Sequence, residues 1–259
     1  MRPQPSVRVM RCQGCGRCIP ACDHQAITLE NGKSLTDPKV CVRCGACLDA
    51  CLFDAREILG REMTVTELVT EVKKDGLFFD ESGGGVTFSG GEPLAQADFL
   101  CEVLQACDTE ELHTAVDTTC YAETDVLQRA AEHARLFLCD LKHMDSDKHE
   151  RLTGVRNELI LFNIQQLSAW GKPLYIRIPL IPGFNDSCDN IRDTAAFIKS
   201  ICTVKRIGVL PYNRSGLDKT KRLGKGAPVL QDFGTTDDAH VAWVVSQFRQ
   251  AGIDIQIGG

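Results

Sequence analysis

Eight cysteines fall within the first 51 residues, and their spacing constrains this chain more than any other feature. They read Cys12-x2-Cys15-x2-Cys18-x3-Cys22 and then Cys41-x2-Cys44-x2-Cys47-x3-Cys51. The segments CQGCGRCIPAC and CVRCGACLDAC align without a gap at an offset of 29 residues, which marks an internal duplication. The other six of the 14 cysteines (Cys101, Cys107, Cys120, Cys139, Cys188 and Cys202) are scattered and show no ligand spacing. In a reducing compartment, clustered cysteines point to metal or redox chemistry rather than to disulfides. Residues 1–10 lack the apolar core of a signal peptide, and no apolar run approaches the ~18–20 residues that span a bilayer. A cytoplasmic location without a membrane partner is expected. The net charge of −6 argues against nucleic acid as a partner.

Each run carries the spacing that holds a cubane iron–sulfur cluster in bacterial ferredoxins. A cubane needs four thiolates at its corners. A tight turn presents three sulfurs spaced two residues apart, and the fourth cysteine points away to the other cluster. Cys12, Cys15, Cys18 and Cys51 are therefore assigned to one [4Fe-4S] cluster, and Cys22, Cys41, Cys44 and Cys47 to a second. Gly14, Gly16, Gly45 and Ala46 leave room for the backbone to wrap closely. A zinc site would more often use two CxxC pairs than two runs of four. One departure is that Asp23 and Leu52 follow the runs, where ferredoxins commonly carry proline.

Beyond residue 60 the periodicity alternates between strand and helix. Helices are predicted over 63–75, with Thr64 and Glu67 as a capping box, and over 93–107, 124–133, 158–170, 191–201 and 238–250. The last is expected to be capped by Thr235 or Thr236 and stopped by Gly252. Strands are predicted over 86–89, 113–118, 135–141, 174–181, 204–210 and 253–257, with Pro179 making the fourth irregular or edge-like near its end. Repeated β-then-α units imply a parallel sheet with helices outside it, and function in such folds collects where strands end. Polar or glycine clusters do follow five strands: Ser89-Gly90-Gly91-Glu92-Pro93, Asp117-Thr118-Thr119, Asp140-Leu141-Lys142-His143, Pro182-Gly183-Phe184-Asn185-Asp186 and Leu210-Pro211-Tyr212-Asn213. Taken singly, a Gly-Gly-Glu-Pro is usually a turn, and Asp140 with Lys142 reads equally as a salt bridge. Arg177 on an otherwise apolar strand calls for an anionic partner. Gly83 to Gly85 opens no helix and so does not form a phosphate-cradling loop. Cys139 is expected to be a core thiol, and His143 and His149 to be surface or packing residues.

At these strand ends the sequence resembles the activating enzymes of glycyl-radical enzymes, members of the radical S-adenosylmethionine (SAM) superfamily. VTFSGGEP, VDTTCYA, DLKHMDSDKHERLTGV, IRIPLIPGFND and VLPYN match that family's motifs in order, and the cysteine-rich head is similar to its two-cluster insert. The resemblance implies an α/β fold: a partial (β/α) radical-SAM-type barrel over 61–259 behind a ferredoxin-like 2[4Fe-4S] domain over 1–60. It implies that Gly90, Gly91 and Glu92 grip the SAM amino group, that Asp140, Leu141 and Lys142 contact SAM, and that Arg177 lies in the same pocket. It gives Asp117 and Asp140 a further role as ligands of a monovalent cation. The position after Leu-Pro-Tyr, usually histidine, is Asn213 here. The implied reaction is reductive cleavage of SAM at its C5′–S bond to methionine and a 5′-deoxyadenosyl radical. That radical takes hydrogen from a glycine of a large partner enzyme, with a flavodoxin or ferredoxin as electron donor.

The family's SAM-binding cluster sits on CxxxCxxC, and no such motif occurs in these 259 residues. The eight clustered cysteines are all used by two ordinary cubanes. The chain is therefore expected to start about one strand and one loop late, to lack the first barrel strand and to be inactive alone. A third, SAM-binding [4Fe-4S] cluster is expected only in a longer form. The competing expectations are a two-cluster electron carrier with a vestigial SAM-binding domain, and a ferredoxin fused to an unrelated α/β binding domain.

Overall fold

A computed structural model describes residues 3–212 and 237–258. The chain divides into two compact units, whose described parts are residues 3–63 and residues 64–212 with 237–258.

The first unit is built from β1 (Gln4–Val7), β2 (Ile27–Glu30), β3 (Lys33–Thr36), a single helical turn α1 (Ala46–Asp49) and β4 (Arg56–Leu59). β1 pairs antiparallel with β4, and β2 with β3. Asn31 and Gly32 join β2 to β3 with φ of 50° and 70°, the backbone of a two-residue hairpin turn. The duplication of the cysteine runs extends into the backbone. β1 and β3 correspond at the same 29-residue offset, as do β2 and β4. Arg8 N donates to Ala55 O, and Asp37 N to Ala26 O. Cys12 N donates to Arg8 O, and Cys41 N to Asp37 O. Left-handed backbone recurs at Gly14 and Arg43, Gly16 and Gly45, and Gln25 and Asp54. Gly14 is required for a second reason, since a Cβ there would lie 2.3 Å from the Gly32 carbonyl oxygen.

The second unit opens with α2 (Val65–Lys73) and α3 (Gly76–Ser82). It continues through β5 (Val86–Phe88), α4 (Ala97–Thr109), β6 (Thr114–Thr118), α5 (Thr124–His133) and β7 (Leu136–Asp140). Next come α6 (Ser146–Thr153), α7 (Glu158–Ala169), β8 (Leu174–Leu180), α8 (Cys188–Lys199) and β9 (Val204–Pro211). It ends with α9 (Asp238–Gln250) and β10 (Gln256–Ile257). The six strands lie in sequence order and pair in parallel throughout. Sequential neighbours joined by crossovers of one hand place the helices on one face of the sheet. β8 shows why: Leu174, Ile176, Ile178 and Leu180 are buried, while Tyr175, Arg177 and Pro179 between them are half-buried on the opposite face. Fully buried Phe137, Leu127, Ile164, Leu167 and Phe248 fill the layer between sheet and helices, each worth ~1.5–3 kcal/mol of burial.

The capping box predicted at Thr64 is present, with Glu67 N donating to Thr64 Oγ1 and Thr64 N to Glu67 Oε2. Pro93 begins a 3-10 turn (Pro93–Gln96) ahead of α4, and α8 starts earlier than expected because Ser187 caps it. Asp237, rather than Thr235 or Thr236, caps α9; its carboxylate accepts from His240 N, and the two threonines lie outside the described residues. The edge-like reading of Pro179 near the end of its strand holds. β8 lies inside the sheet but overhangs β7, whose last paired residue, Asp140, stands opposite Arg177. Pro179 meets no β7 partner that would need its N–H, and its carbonyl accepts from Asn185 Nδ2 at 2.7 Å. His143 and His149 are buried packing residues, at 5% and 3% exposure.

Candidate functional site

The C-terminal ends of β6, β7 and β8 bring Asp117, Asp140 and Arg177 onto one face. The sheet register sets Asp117 beside Leu138 and Asp140 beside Arg177. Arg177 Nε donates to Asp140 Oδ1 at 2.9 Å, Nη1 to Asp117 Oδ2 at 3.0 Å, and Nη2 to both carboxylates. Burial works against the Arg177 charge, but Asp117 and Asp140 outweigh it and raise its pKa. Lys142 Nζ lies 3.3 Å from Asp140 Oδ2, and Ser89 Oγ donates to Asp117 at 3.1 Å. The salt-bridge reading and the anionic-partner reading of these residues are thus both realised. A monovalent cation at Asp117 and Asp140 would share both carboxylates with Arg177.

Glu92 faces the same strand ends and is held from three sides. Its carboxylate accepts from Thr118 Oγ1 at 2.7 Å, from Thr119 N at 2.9 Å and Oγ1 at 2.6 Å, and from Leu94 N at 3.2 Å. Gly90 takes φ of 135° and, with Gly91, leaves this loop exposed and free of side chains. The Leu141 side chain belongs to the core at 4% exposure, and its N–H donates to Arg177 O at 2.8 Å. Any ligand contact at Leu141 is therefore left to its backbone carbonyl. Asn213 lies outside the described residues.

Buried asparagines, of which the sequence singled out only Asn185, support this edge. Asn185 Nδ2 donates to Lys142 O and Pro179 O, and its Oδ1 accepts from Ile181 N. Asn190 Oδ1 accepts from Met144 N, and Asn157 Nδ2 donates to His143 O and Met144 O. Asn163 ties Cys120 O and Ala122 O. Cys139 is a fully buried core thiol as expected, 3.2 Å from Cys120 Sγ. That hydrogen bond, together with burial, pushes the Cys120 thiol well up.

In the first unit the eight cysteines separate into two hollows. Cys12, Cys15, Cys18 and Cys51 line one of about 320 Å³, and Cys22, Cys41, Cys44 and Cys47 line another of about 400 Å³. The donors around them suit thiolate ligands. Ala26 N approaches Cys22 Sγ and Ala55 N approaches Cys51 Sγ, both at 3.4 Å. Burial pushes the Cys12 thiol up, but hydrogen bonds from Ser34 and Gly14 and the charge of Lys33 outweigh it and lower its pKa. Burial raises that of Cys47, with Arg56 in partial opposition. The residues fit iron–sulfur clusters.

Comparison with known proteins gives the family. The model of the radical SAM superfamily matches residues 44–198, and that of the 4Fe-4S dicluster domain matches residues 11–55. The chain belongs to the radical SAM superfamily. A trans-4-hydroxy-L-proline dehydratase activating enzyme of Clostridioides difficile is 43% identical over 83% of this chain and 72% of its own. A 4-hydroxyphenylacetate decarboxylase activating enzyme of C. difficile strain 630 is 36% identical over 100% of this chain and 83% of its own. A crystal structure of a domain of a pyruvate-formate lyase-activating enzyme from Bacteroides vulgatus is 36% identical, with a TM-score of 0.56, over 68% of this chain and 99% of that domain. Within the superfamily the chain is thus a member of the glycyl-radical enzyme activating enzymes, for which iron–sulfur clusters and SAM are the cofactors. No helix among the described residues is long and apolar enough to cross a membrane.

Proposed function

We propose that this chain serves the activation of a glycyl-radical enzyme. In this reading residues 1–60 hold two cubane clusters, on Cys12, Cys15, Cys18 and Cys51 and on Cys22, Cys41, Cys44 and Cys47. Residues 61–259 bind SAM at the strand ends. The observation that carries it is the mixed-charge cluster there, where three carboxylates (Glu92, Asp117 and Asp140) face two cations, Arg177 and Lys142. SAM presents a carboxylate, an ammonium and a sulfonium, so its recognition needs both signs.

The chain's own residues then divide the work. Thr118 and Thr119 hold the Glu92 carboxylate in place to accept from the ligand ammonium, and Gly90 and Gly91 allow backbone approach. Arg177 and Lys142 balance the acidic side chains and offer donors to the ligand carboxylate. Asp117 and Asp140 orient Arg177 and are assigned to the monovalent cation as well. When bound, the clusters supply single electrons and SAM the adenosyl group for hydrogen abstraction. A flavodoxin or ferredoxin type of protein is the proposed electron donor, in the cytoplasm, where thiols stay reduced.

Anaerobic calorimetry tests this. The chain is expected to carry about eight irons, four for each cubane, and to bind SAM saturably, with Lys142→Ala and Arg177→Ala weakening binding about tenfold or more, the size of a lost charged contact. Failure of the iron-loaded chain to bind SAM would refute the proposal. With no CxxxCxxC among them, these 259 residues alone are expected not to cleave SAM, and 5′-deoxyadenosine formed by them would overturn that part.

A further inference from the structure

The halves of the first unit repeat in backbone but differ in side chains beside the cysteines. Ser34 stands where the first copy has Pro5, Arg56 where it has Ile27, and Lys33 where it has Gln4. Arg56 and Ile27 are each 5% exposed, so a guanidinium is buried at the place of an alkyl chain.

Two of the exchanged residues, Ser34 and Arg56, line the hollow of Cys12, Cys15, Cys18 and Cys51, and Lys33 holds its first cysteine. Ser34 N donates to Cys12 Sγ at 3.4 Å, and Ser34 Oγ lies 3.7 Å from the same sulfur. The residue corresponding to Ser34 in the other half is Pro5, which has no N–H to offer Cys41. Arg56 Nη1 lies 3.7 Å from Cys18 Sγ and 3.0 Å from Ser34 Oγ, and Nη2 donates to Thr36 Oγ1. Arg56 Nε is buried without a partner, and among the described residues Arg56 makes no ion pair with a carboxylate. Lys33 Nζ holds the Cys12 carbonyl at 2.6 Å. A buried guanidinium whose partners are hydroxyls and cysteine sulfurs lacks a carboxylate counter-charge, and such a group is costly unless an anion is supplied. A thiolate-ligated cluster is that anion, and reduction adds one more negative charge to it.

We propose that the two clusters are inequivalent: the one on Cys12, Cys15, Cys18 and Cys51 has the higher reduction potential and takes the first electron, with Arg56 and Ser34 setting the difference. This rests on the reading that the eight cysteines hold two cubanes. Hydrogen bonds to cluster sulfurs and nearby positive charge favour the reduced form. Arg56 also reaches Cys47, but it lines only the first hollow, and the second has Ile27 and Pro5 at the corresponding places. The step is a simple one-electron transfer. An external reductant loses one electron, one cluster gains it, and no bond forms or breaks.

The test is an anaerobic dithionite titration of the iron-loaded chain, followed by electron paramagnetic resonance. Wild type is expected to show two resolved one-electron steps. Cys15→Ser should perturb the first step and Cys44→Ser the second, which assigns each to its hollow. Arg56→Ile, a residue the fold already accepts at position 27, is expected to lower the equilibrium constant of the first step at least tenfold, about 59 mV for a one-electron couple, and to narrow the gap. Ser34→Pro should act in the same direction through loss of one N–H, and it decides the matter if Arg56→Ile does not load iron. Coincident steps in wild type, a first step that follows Cys44→Ser, or a first step unmoved by these substitutions would overturn the proposal. Wild-type iron well below about eight per chain would instead defeat the two-cluster reading beneath it.

Discussion

Arg177→Met is the sharpest perturbation of the sheet mouth, because it removes one side chain and strands two. Arg177, Asp117 and Asp140 are 19%, 23% and 19% exposed in their side chains, so water screens them only partly. Truncating one partner of a buried pair costs about 3–5 kcal/mol, mostly because the other charge stays buried alone. Residual exposure of about a fifth argues for the lower end, about 3 kcal/mol. Methionine retains much of the apolar stem, which keeps a packing loss from dominating. At ~2–4 °C per kcal/mol for a unit of this size, the Tm should fall by about 6–12 °C. Calorimetry of the iron-loaded chain measures that, and urea unfolding followed by circular dichroism gives the free energy. The partner test is Asp117→Asn in the Arg177→Met background. It relieves one stranded carboxylate and should recover about 1 kcal/mol or more, although alone it destabilises. A Tm change under about 2 °C for Arg177→Met, or no recovery in the double variant, would refute the argument that these charges are held by one another.

Gly85→Ala is expected to destabilise the second unit by about 2 kcal/mol or more in urea unfolding, since its Cβ would lie 2.0 Å from the His113 carbonyl oxygen beside the β5–β6 pairing. A neutral result would contradict that close approach. Thr64→Ala should cost about 1 kcal/mol, and adding Glu67→Ala should cost less than the two losses summed, because the cap is reciprocal; strict additivity would show the box is not coupled. Burial holds the pKa of His143 and of His149 below the ordinary value. The unfolded chain therefore takes up protons first as pH falls, so stability is intact above about pH 6.5 and declines below it. The urea midpoint should drop between about pH 6.5 and 5, above the carboxylate range, and a flat midpoint in the wild type would count against neutral burial of these imidazoles.

What could be read in the sequence was what short stretches of chain decide. α5 spans the predicted residues 124–133, and α7 ends within a residue of its predicted span, because an apolar stripe at helical spacing needs no knowledge of its neighbours. α6 escaped notice for the opposite reason: it buries only His149 and is fixed by the Asp145 cap. Pro179 marked the end of β8 as edge-like because a residue without an N–H suits a place where the neighbouring strand has stopped; which strand stops short is not recorded in β8 itself. Arg177 announced itself as a charge in an apolar strand, yet its two partners lie 60 and 37 residues away in sequence. Arg56 gave no signal at all. In CLFDAREILG it reads as an ordinary polar position, and only when β3 brings Ser34 and Thr36 against it does the guanidinium become a buried cation between hydroxyls and a cysteine. The duplication makes that position interpretable, since the equivalent Ile27 shows what the fold needs there for packing alone. A repeat therefore carries its own internal control: positions where both copies agree report the turn and strand geometry, and buried positions where they disagree in charge report where the two halves have been set to different tasks.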